Sequence, residues 1–357
     1  VSTAIADYYI EHGAKQASAE AIKARLKLFS RFLDAEADAG RLSDPFLPDQ
    51  VDNLFLDRFR NWALDDPIVA KKKDRDGNWV DGNSRPRQAS TVEESVIQLK
   101  AAINHALNNR RIRYAPPMKH KTRAAVTPVR TYRLTVSNLA EMLDFTMQGS
   151  GRYAGHAALL VPLRRYLIGA ICTLARPDAI LDISVETERA QWMRDDRRLN
   201  LNPAGRQQTK KHRPIVPVND LLHEWLSETD EWFVCKERIS LDPHDQTPVV
   251  EQIGVKAVRS GWNSMRQCLN IPDGWGPKLI RHSMSSELRK RRVDPWELSG
   301  QLGHRVLKTS ETYAIYDPEY LGTVQMGIKD VLADLEKACG SSIHPTFTQI
   351  SRTNILR

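Results

Sequence analysis

Two tyrosines near the end of the chain stand where a nucleophile could. In the stretch "LGHRVLKTSETYAIY", Leu302-Gly303-His304 is followed by Tyr313 and Tyr316, three residues apart. A phenol with a pKa of about 10 attacks poorly until a neighbour takes its proton. If the target is a phosphate, cations must also receive the charge that grows on it. Upstream stretches carry such groups. Arg176 closes the apolar run "LLVPLRRYLIGAICTLA" and precedes Pro177. "QTKKHRPIVPV" puts Lys210 and Lys211 in a polar turn, where a lysine can act as a mobile point charge or proton donor. "GPKLIRHSMSSEL" reads as a helix start with Pro277 at the first position. Lys278 and Arg281 then share one face at i and i+3, beside backbone N–H groups that favour an anion. Two cations there oppose the helix dipole, and a bound anion would account for them. Each stretch alone has a plainer reading: a cation at a helix end, solvated lysines, two tyrosines on one helix face.

Composition narrows the partner. The 357 residues include 52 Lys and Arg against 44 Asp and Glu, with a pI of about 9.3. That length predicts two domains or three. That charge points to an anionic partner, most commonly nucleic acid. No apolar run reaches the roughly 18 residues of a membrane span, and no secretory pattern opens the chain. The expected location is therefore cytoplasmic, on the nucleoid, with no membrane partner. The chain opens at Val1, which fits a trimmed start. Cys172, Cys235, Cys268 and Cys339 are scattered and form no CxxC pair, which fits reduced thiols and argues against zinc. HExxH and GxxxxGK[ST] patterns are absent, so phosphate chemistry is expected to run without metal, ATP or other cofactor.

The elements that would position these groups follow from periodicity. Residues 1–115 read as helices, with Ile22, Leu26, Phe29, Phe32 and Leu33 at helical spacing, then Phe55, Phe59 and Trp62. "KKKDRDGNWVDGNSRPR" reads as a loop or small hairpin turning at Asp76-Gly77. A helix over about 90–110 follows, where Ser90 and Glu93 have capping-box spacing. Residues 116–133 read as a basic linker. A second domain, 134–325, should open with a helix capped by Thr135 or Ser137. Strands are expected at "ILDISVE", "RRLNLNP" and "RPIVPV", with helices from there on. Trp192, Trp225, Trp232 and Trp262 are expected in the core, His282 in packing, and Trp296, early in the helix that ends at His304, is expected to pack that helix in place. An amphipathic helix and tail, 326–357, need somewhere to put their apolar face, and their own domain is the plainest place.

Taken in order, Arg176, a hairpin lysine, Lys278-Leu-Ile-Arg281, Leu302-Gly303-His304 and a tyrosine nine residues beyond His304 resemble the signature of the tyrosine recombinase (phage integrase) family. The resemblance selects Tyr313 over Tyr316. It implies a mainly α protein: a helical core-binding domain and a mixed α/β catalytic domain, mostly helices with a small antiparallel sheet, closing on DNA as a C-shaped clamp. It implies that Arg176 and Arg281 grip the nonbridging oxygens with His304 as a third donor, and that Lys278 or His304 relieves Tyr313 of its proton. Lys210 would protonate the leaving 5′-oxygen, giving a 3′-phosphotyrosine that needs no ATP to rejoin. DNA contacts would come from Arg110 and Arg111, from Lys119, Lys121 and Arg123, and from Lys211. Double-stranded DNA and a homotetramer on synapsed sites are the implied partners, with room for accessory DNA-bending or directionality proteins. The resemblance also implies a neighbouring protomer as the alternative docking place for the helix and tail, 326–357. The sequence departs from the pattern at Lys278, where the family usually has His and the related type IB topoisomerases often have Lys. It departs again at Ala179, where an acidic residue is usual and Asp178 or Asp182 could orient Arg176 instead. The leading expectation is the integrase of a prophage or other mobile element. A topoisomerase or chromosome-dimer resolvase with the same cleavage chemistry, and a non-catalytic DNA-binding protein, are the alternatives.

Overall fold

A computed structural model describes residues 1–209, 211–241, 248–304 and 317–345, with the side chains of 239–241 and 248–250 excepted. The chain divides into two compact units, Val1–Thr131 and Tyr132–Arg357.

The first unit is built on four helices, α1 (Ser2–Glu11), α2 (Ala19–Asp38), α3 (Asn53–Asp65) and α4 (Ala89–Asn108), with a two-stranded ribbon, β1 (Ile68–Lys73) and β2 (Trp79–Arg85), between α3 and α4. The helical spacing of the apolar residues is realised as a shared core in which Phe29, Phe32, Phe55 and Phe59 are all buried. The Phe29 and Phe59 rings sit 4.7 Å apart. The capping box expected at Ser90 does not form. α4 begins two residues earlier, at Ala89, with Gln88 as N-cap and no side-chain cap. Glu93 is instead drawn into the interior by Arg60, whose Nε and Nη2 donate to its two oxygens at 2.9 and 2.8 Å. A buried guanidinium needs that carboxylate more than a solvated helix end does. The same pair holds the chain beyond α4: Arg60 donates to the Lys119 carbonyl, and the Lys121 N–H donates to Glu93. Met118 is buried in the same core, and a short helix, α5 (Arg123–Val126), follows.

The second unit opens with α6 (Val136–Gln148), capped by Thr135, whose hydroxyl accepts the Asn138 N–H. At its centre runs α7 (Val161–Thr173), buried from Leu163 almost continuously to its end, the pattern of a helix surrounded by protein. A tight turn, α8 (Pro177–Ile180), leads to a three-stranded antiparallel sheet of β3 (Trp192–Met193), β4 (Arg198–Asn200) and β5 (Ile215–Pro217). Two of the expected strands are present. "ILDISVE" is not the third: its first residue closes α8, and only Ser184 makes a bridge, to Trp232. After α9 (Asp220–Ser227), the expected run of helices is interrupted by a hairpin of β6 (Cys235–Leu241) and β7 (Pro248–Gly254). Then come α10 (Arg259–Cys268), α11 (Leu279–Lys290), α12 (Pro295–Gln301) and α13 (Gly322–Ala338). Val324, Ile328, Val331 and Leu335 of α13 are buried within this unit. Residues 339–345 are fastened to it: the Gly340 N–H donates to Asp144 and Trp225 Nε1 to the Ile343 carbonyl. Trp262 and Trp225 are core, Trp192 and Trp232 are half-buried, and His282 is half-buried on α11. Trp296, expected to pack its helix in place, is 45% exposed near the start of α12, with its ring 6.1 Å from Tyr320. Among the described residues, no helix is long and apolar enough to cross a membrane.

Candidate active site

The site is assembled around the C-terminal end of α7. The helix stops at Leu174, a non-glycine residue in left-handed backbone with φ 54°. A helix end leaves carbonyls without partners, and here two later segments supply the donors. Gln301, at the end of α12, donates to the Thr173 carbonyl at 2.9 Å. Arg281 donates through Nη1 to the Leu174 carbonyl at 2.7 Å. Its Nη2 donates to the Leu302 carbonyl at 2.6 Å and lies 3.2 Å from His304 Nε2. Arg281 thus joins the ends of α7 and α12 and sits against the histidine that follows α12. Pro277 precedes α11 rather than opening it, and Lys278 takes the N-cap position, exposed at the surface.

Arg176 lies two residues beyond Leu174, in extended backbone that starts α8. Its Nη1 donates to the His212 carbonyl at 2.7 Å, on the chain leading into β5. Neither Asp178 nor Asp182 pairs with it. Both carboxylates go to Arg213, which is 7% exposed, with Nη2 at 3.0 Å from Asp178 and Nη1 at 2.5 Å from Asp182. Ala179 is buried beneath them. Gly303 closes the arrangement. Its φ is +62°, and a Cβ there would meet the His212 oxygen and the Pro214 ring, each at 2.7 Å. Only glycine suits both the backbone conformation and the approach.

The electrostatics follow from this geometry. Arg281 is 6% exposed, and among the described residues no carboxylate forms an ion pair with it or with Arg176. Burial first, then the charge of Arg176, lowers the Arg281 pKa to about 10. His304 is pushed below its ordinary value by partial burial, then by Arg281, Arg176 and Lys278. A guanidinium has no acceptor, so at 3.2 Å the His304 Nε2 must accept. The ring is then neutral, with its proton on Nδ1. The site therefore holds excess positive charge in partly dry surroundings, the condition that favours an incoming anion.

The remaining residues read from the sequence are placed as follows. Lys210, Tyr313 and Tyr316 lie outside the described residues. Lys211 is exposed, its N–H donating to the Thr209 hydroxyl at 3.3 Å. In the first unit, Arg110 is exposed just beyond α4 at φ 56°. Arg111 is paired with Asp7 at 2.8 Å and Glu11 at 2.5 Å. Lys119, Lys121 and Arg123 are exposed, while the backbone of the first two is tied to Asn53, Arg60 and Glu93. The sequence reading missed Arg213 and Gln301, which orient the site from behind. "HRP" beside the hairpin lysines was the available signal for Arg213; nothing in the pattern marks Gln301 out from a surface residue. Among the described residues there is no cluster of His, Cys, Asp and Glu able to hold a metal.

No sequence-family profile and no curated protein matches the chain. Solved structures do. The Tn1549 transposon integrase in complex with transposon right end DNA is similar at 12% identity and a TM-score of 0.52, over 91% of this chain and 97% of that one. The same integrase with circular intermediate DNA is similar at 15% identity and a TM-score of 0.51, over 91% and 98%. XerH site-specific recombinase, in a post-cleavage complex with a palindromic difH substrate, is similar at 15% identity and a TM-score of 0.52, over 86% and 78%. The chain has the fold of the tyrosine-type integrases and site-specific recombinases.

Proposed function

We propose that this protein is a site-specific DNA recombinase, the integrase of a prophage or other mobile element. The observation that carries this reading is the pairing of Arg281 with Leu174, Leu302 and His304 beside Arg176: a buried, cationic cluster in which, among the described residues, no carboxylate pairs with either arginine, the nearby Asp178 being held by Arg213. A phosphodiester supplies the missing negative charge. Arg176 and Arg281 grip its nonbridging oxygens and stabilise the charge that builds there during attack. Tyr313 Oη forms the new bond to phosphorus as its proton passes to Lys278, which must hold a neutral amine to take it, or to Nε2 of His304, the one acceptor of that ring. The bond to the 5′-oxygen breaks, and Lys210 protonates that oxygen. The 3′-phosphotyrosine keeps the bond energy, so the reverse attack by a 5′-hydroxyl rejoins DNA without ATP. Exchange between two duplexes requires two pairs of protomers, hence a homotetramer on synapsed sites. The fold shared with DNA-bound integrases and a recombinase supports the same reading.

The test is covalent capture. The protein is incubated with plasmid carrying the ends of the element that encodes it, denatured, and assayed for DNA-linked protein. Wild type and Tyr316→Phe should give the adduct, and Tyr313→Phe should give none. An adduct that survives Tyr313→Phe overturns the nucleophile; no adduct from wild type on any fragment of the element overturns the enzyme.

A further inference from the structure

The β1–β2 ribbon is not explained by the catalytic site. It is inserted between α3 and α4 and is antiparallel, with Lys71 opposite Asp81, Lys72 opposite Val80 and Lys73 opposite Trp79. Neither face is packed: every β1 residue after Ile68 is exposed, and in β2 only Val80 and Gly82 are partly covered. A two-stranded ribbon without a covered face is marginally stable in water. This one is nevertheless shaped with care. The Asp74 carboxylate accepts the N–H groups of Asp76 and Asn78, both at 2.9 Å, and Gly77 turns at φ +84°.

Its chemistry is one-sided. Residues 68–131 hold fourteen Lys and Arg against five Asp and Glu, whereas residues 1–66 hold eight against twelve. The cationic excess of the first unit therefore begins with the ribbon. Lys71 pairs with Asp81 across it. Lys72, Lys73, Arg75 and Arg85 have no carboxylate partner among the described residues, and all are exposed. Trp79 is 68% exposed beside them, with Lys73 Nζ 5.4 Å from its ring centre. Lysines on a ribbon edge are an ordinary guard against strand pairing, but a guard does not call for an indole held in water.

We propose that the ribbon is a separate DNA-binding arm that lies along a groove of duplex DNA, Lys72, Lys73, Arg75 and Arg85 meeting phosphates and Trp79 packing on sugar or base edges. The major groove, about 12 Å wide, admits a two-stranded ribbon. β1 would run for about 20 Å along it. The choice of DNA as occupant rests on the function proposed above and on charge complementarity; the geometry excludes a mainly apolar partner.

The experiment reads the electrostatic term, which is independent of sequence. Binding of the full chain to a labelled duplex of random sequence is titrated across salt concentrations. Each phosphate contact contributes about 0.9 to the slope of log affinity against log salt. The variant K72Q/K73Q/R75Q/R85Q should lose about two to four units of slope, and Trp79→Ala should weaken binding with the slope unchanged. In unmodified protein, duplex DNA should protect Lys72 and Lys73 from acetylation, a readout that does not depend on any variant folding. A slope within half a unit of wild type, or unprotected lysines, overturns the arm. So does a variant whose self-association changes while its DNA binding does not, because the ribbon then meets a second copy. Loss of the Tyr313 adduct would leave these readouts unaffected, so the two proposals fail separately.

Discussion

Arg176 is held by a carbonyl rather than a carboxylate: its Nη1 donates to the main-chain oxygen of His212 at 2.7 Å. The aim of the guanidinium then depends on where the β4–β5 connection sits. Arg213, the next residue, fixes that connection by pairing with Asp178 and Asp182. The two carboxylates orient Arg176 at one remove, and Ala179 is free to be a buried apolar residue.

Arg213→Lys keeps the charge but cannot span two carboxylates. A displacement of about an ångström at a catalytic group can cost roughly a hundredfold in rate. Adduct formation should therefore slow by about ten- to a hundredfold, while affinity for duplex DNA changes less than about threefold. Asp182→Asn should reproduce the effect in milder form. Single-turnover cleavage and equilibrium binding, measured side by side, separate this from general destabilisation, which would lower both.

Arg281 should be the more severe loss. Arg281→Gln removes a charge-bearing donor from the phosphate and should cost at least about a hundredfold in cleavage. It also leaves the Leu174 and Leu302 carbonyls competing for a shorter side chain, a loss of about 1–3 kcal/mol for each buried group left unpaired. Inorganic phosphate supplies a direct check on the excess charge of the pocket. It should raise the melting temperature of wild type and not that of Arg281→Gln. Equal shifts in both proteins would place the anion elsewhere.

Much of this was legible in the sequence because helices and ends announce themselves locally. The apolar run before Arg176, the Gly-Pro ahead of Lys278 and Arg281, and the Gly-His pair each mark an element boundary, and the structure brings all three boundaries to one pocket. What escaped was non-local. Glu93 has capping-box spacing, yet Arg60, 33 residues away, claims it. The β6–β7 hairpin carries "VV" and "IS" in short runs without a clean alternation, so only the pairing of Cys235 with Gly254 through to Leu241 with Pro248 defines it. "ILDISVE" has strand composition, but Arg176 opens a helical turn at its start, and the chain then pairs only at Ser184, in a single bridge to Trp232. Trp296 packs only in part, because in the first turn of a short helix it reaches the Tyr320 ring with much of its surface left in water.

Gly303→Ala tests the approach of the α12 end to the hairpin. A left-handed backbone costs a residue with a Cβ about 1–2 kcal/mol. The contacts of that Cβ with the His212 oxygen and the Pro214 ring add to it. For a unit of this size each kcal/mol is worth about 2–4 °C. The melting temperature should fall by at least about 4 °C, and cleavage should fall further than stability explains, because the displaced carbonyl is the one that holds Arg176. A melting temperature within a degree of wild type would mean that the Cβ is accommodated and the close approach is not required.

Two histidines give the pH dependence opposite signs. His304 has a depressed pKa, so the folded state resists a proton that the unfolded chain accepts at about 6.5. Its contribution is intact above that value and is lost as pH falls below it. His344 is the reverse. Its Nδ1 lies 2.5 Å from Glu224 and its Nε2 3.3 Å from Glu336, and these carboxylates, Glu224 first, raise its pKa. Its stabilisation is fully present below about 6.5 and fades as pH rises through the raised value. His304→Gln should flatten the loss of melting temperature on the acid side, and His344→Gln the loss on the alkaline side. Because His344 fastens the segment after α13, its effect should also appear as faster hydrogen exchange at the Gly340 amide as pH rises, beyond the intrinsic increase seen in His344→Gln. If both variants keep the wild-type profile, neither histidine titrates between the folded and unfolded states as its neighbours dictate.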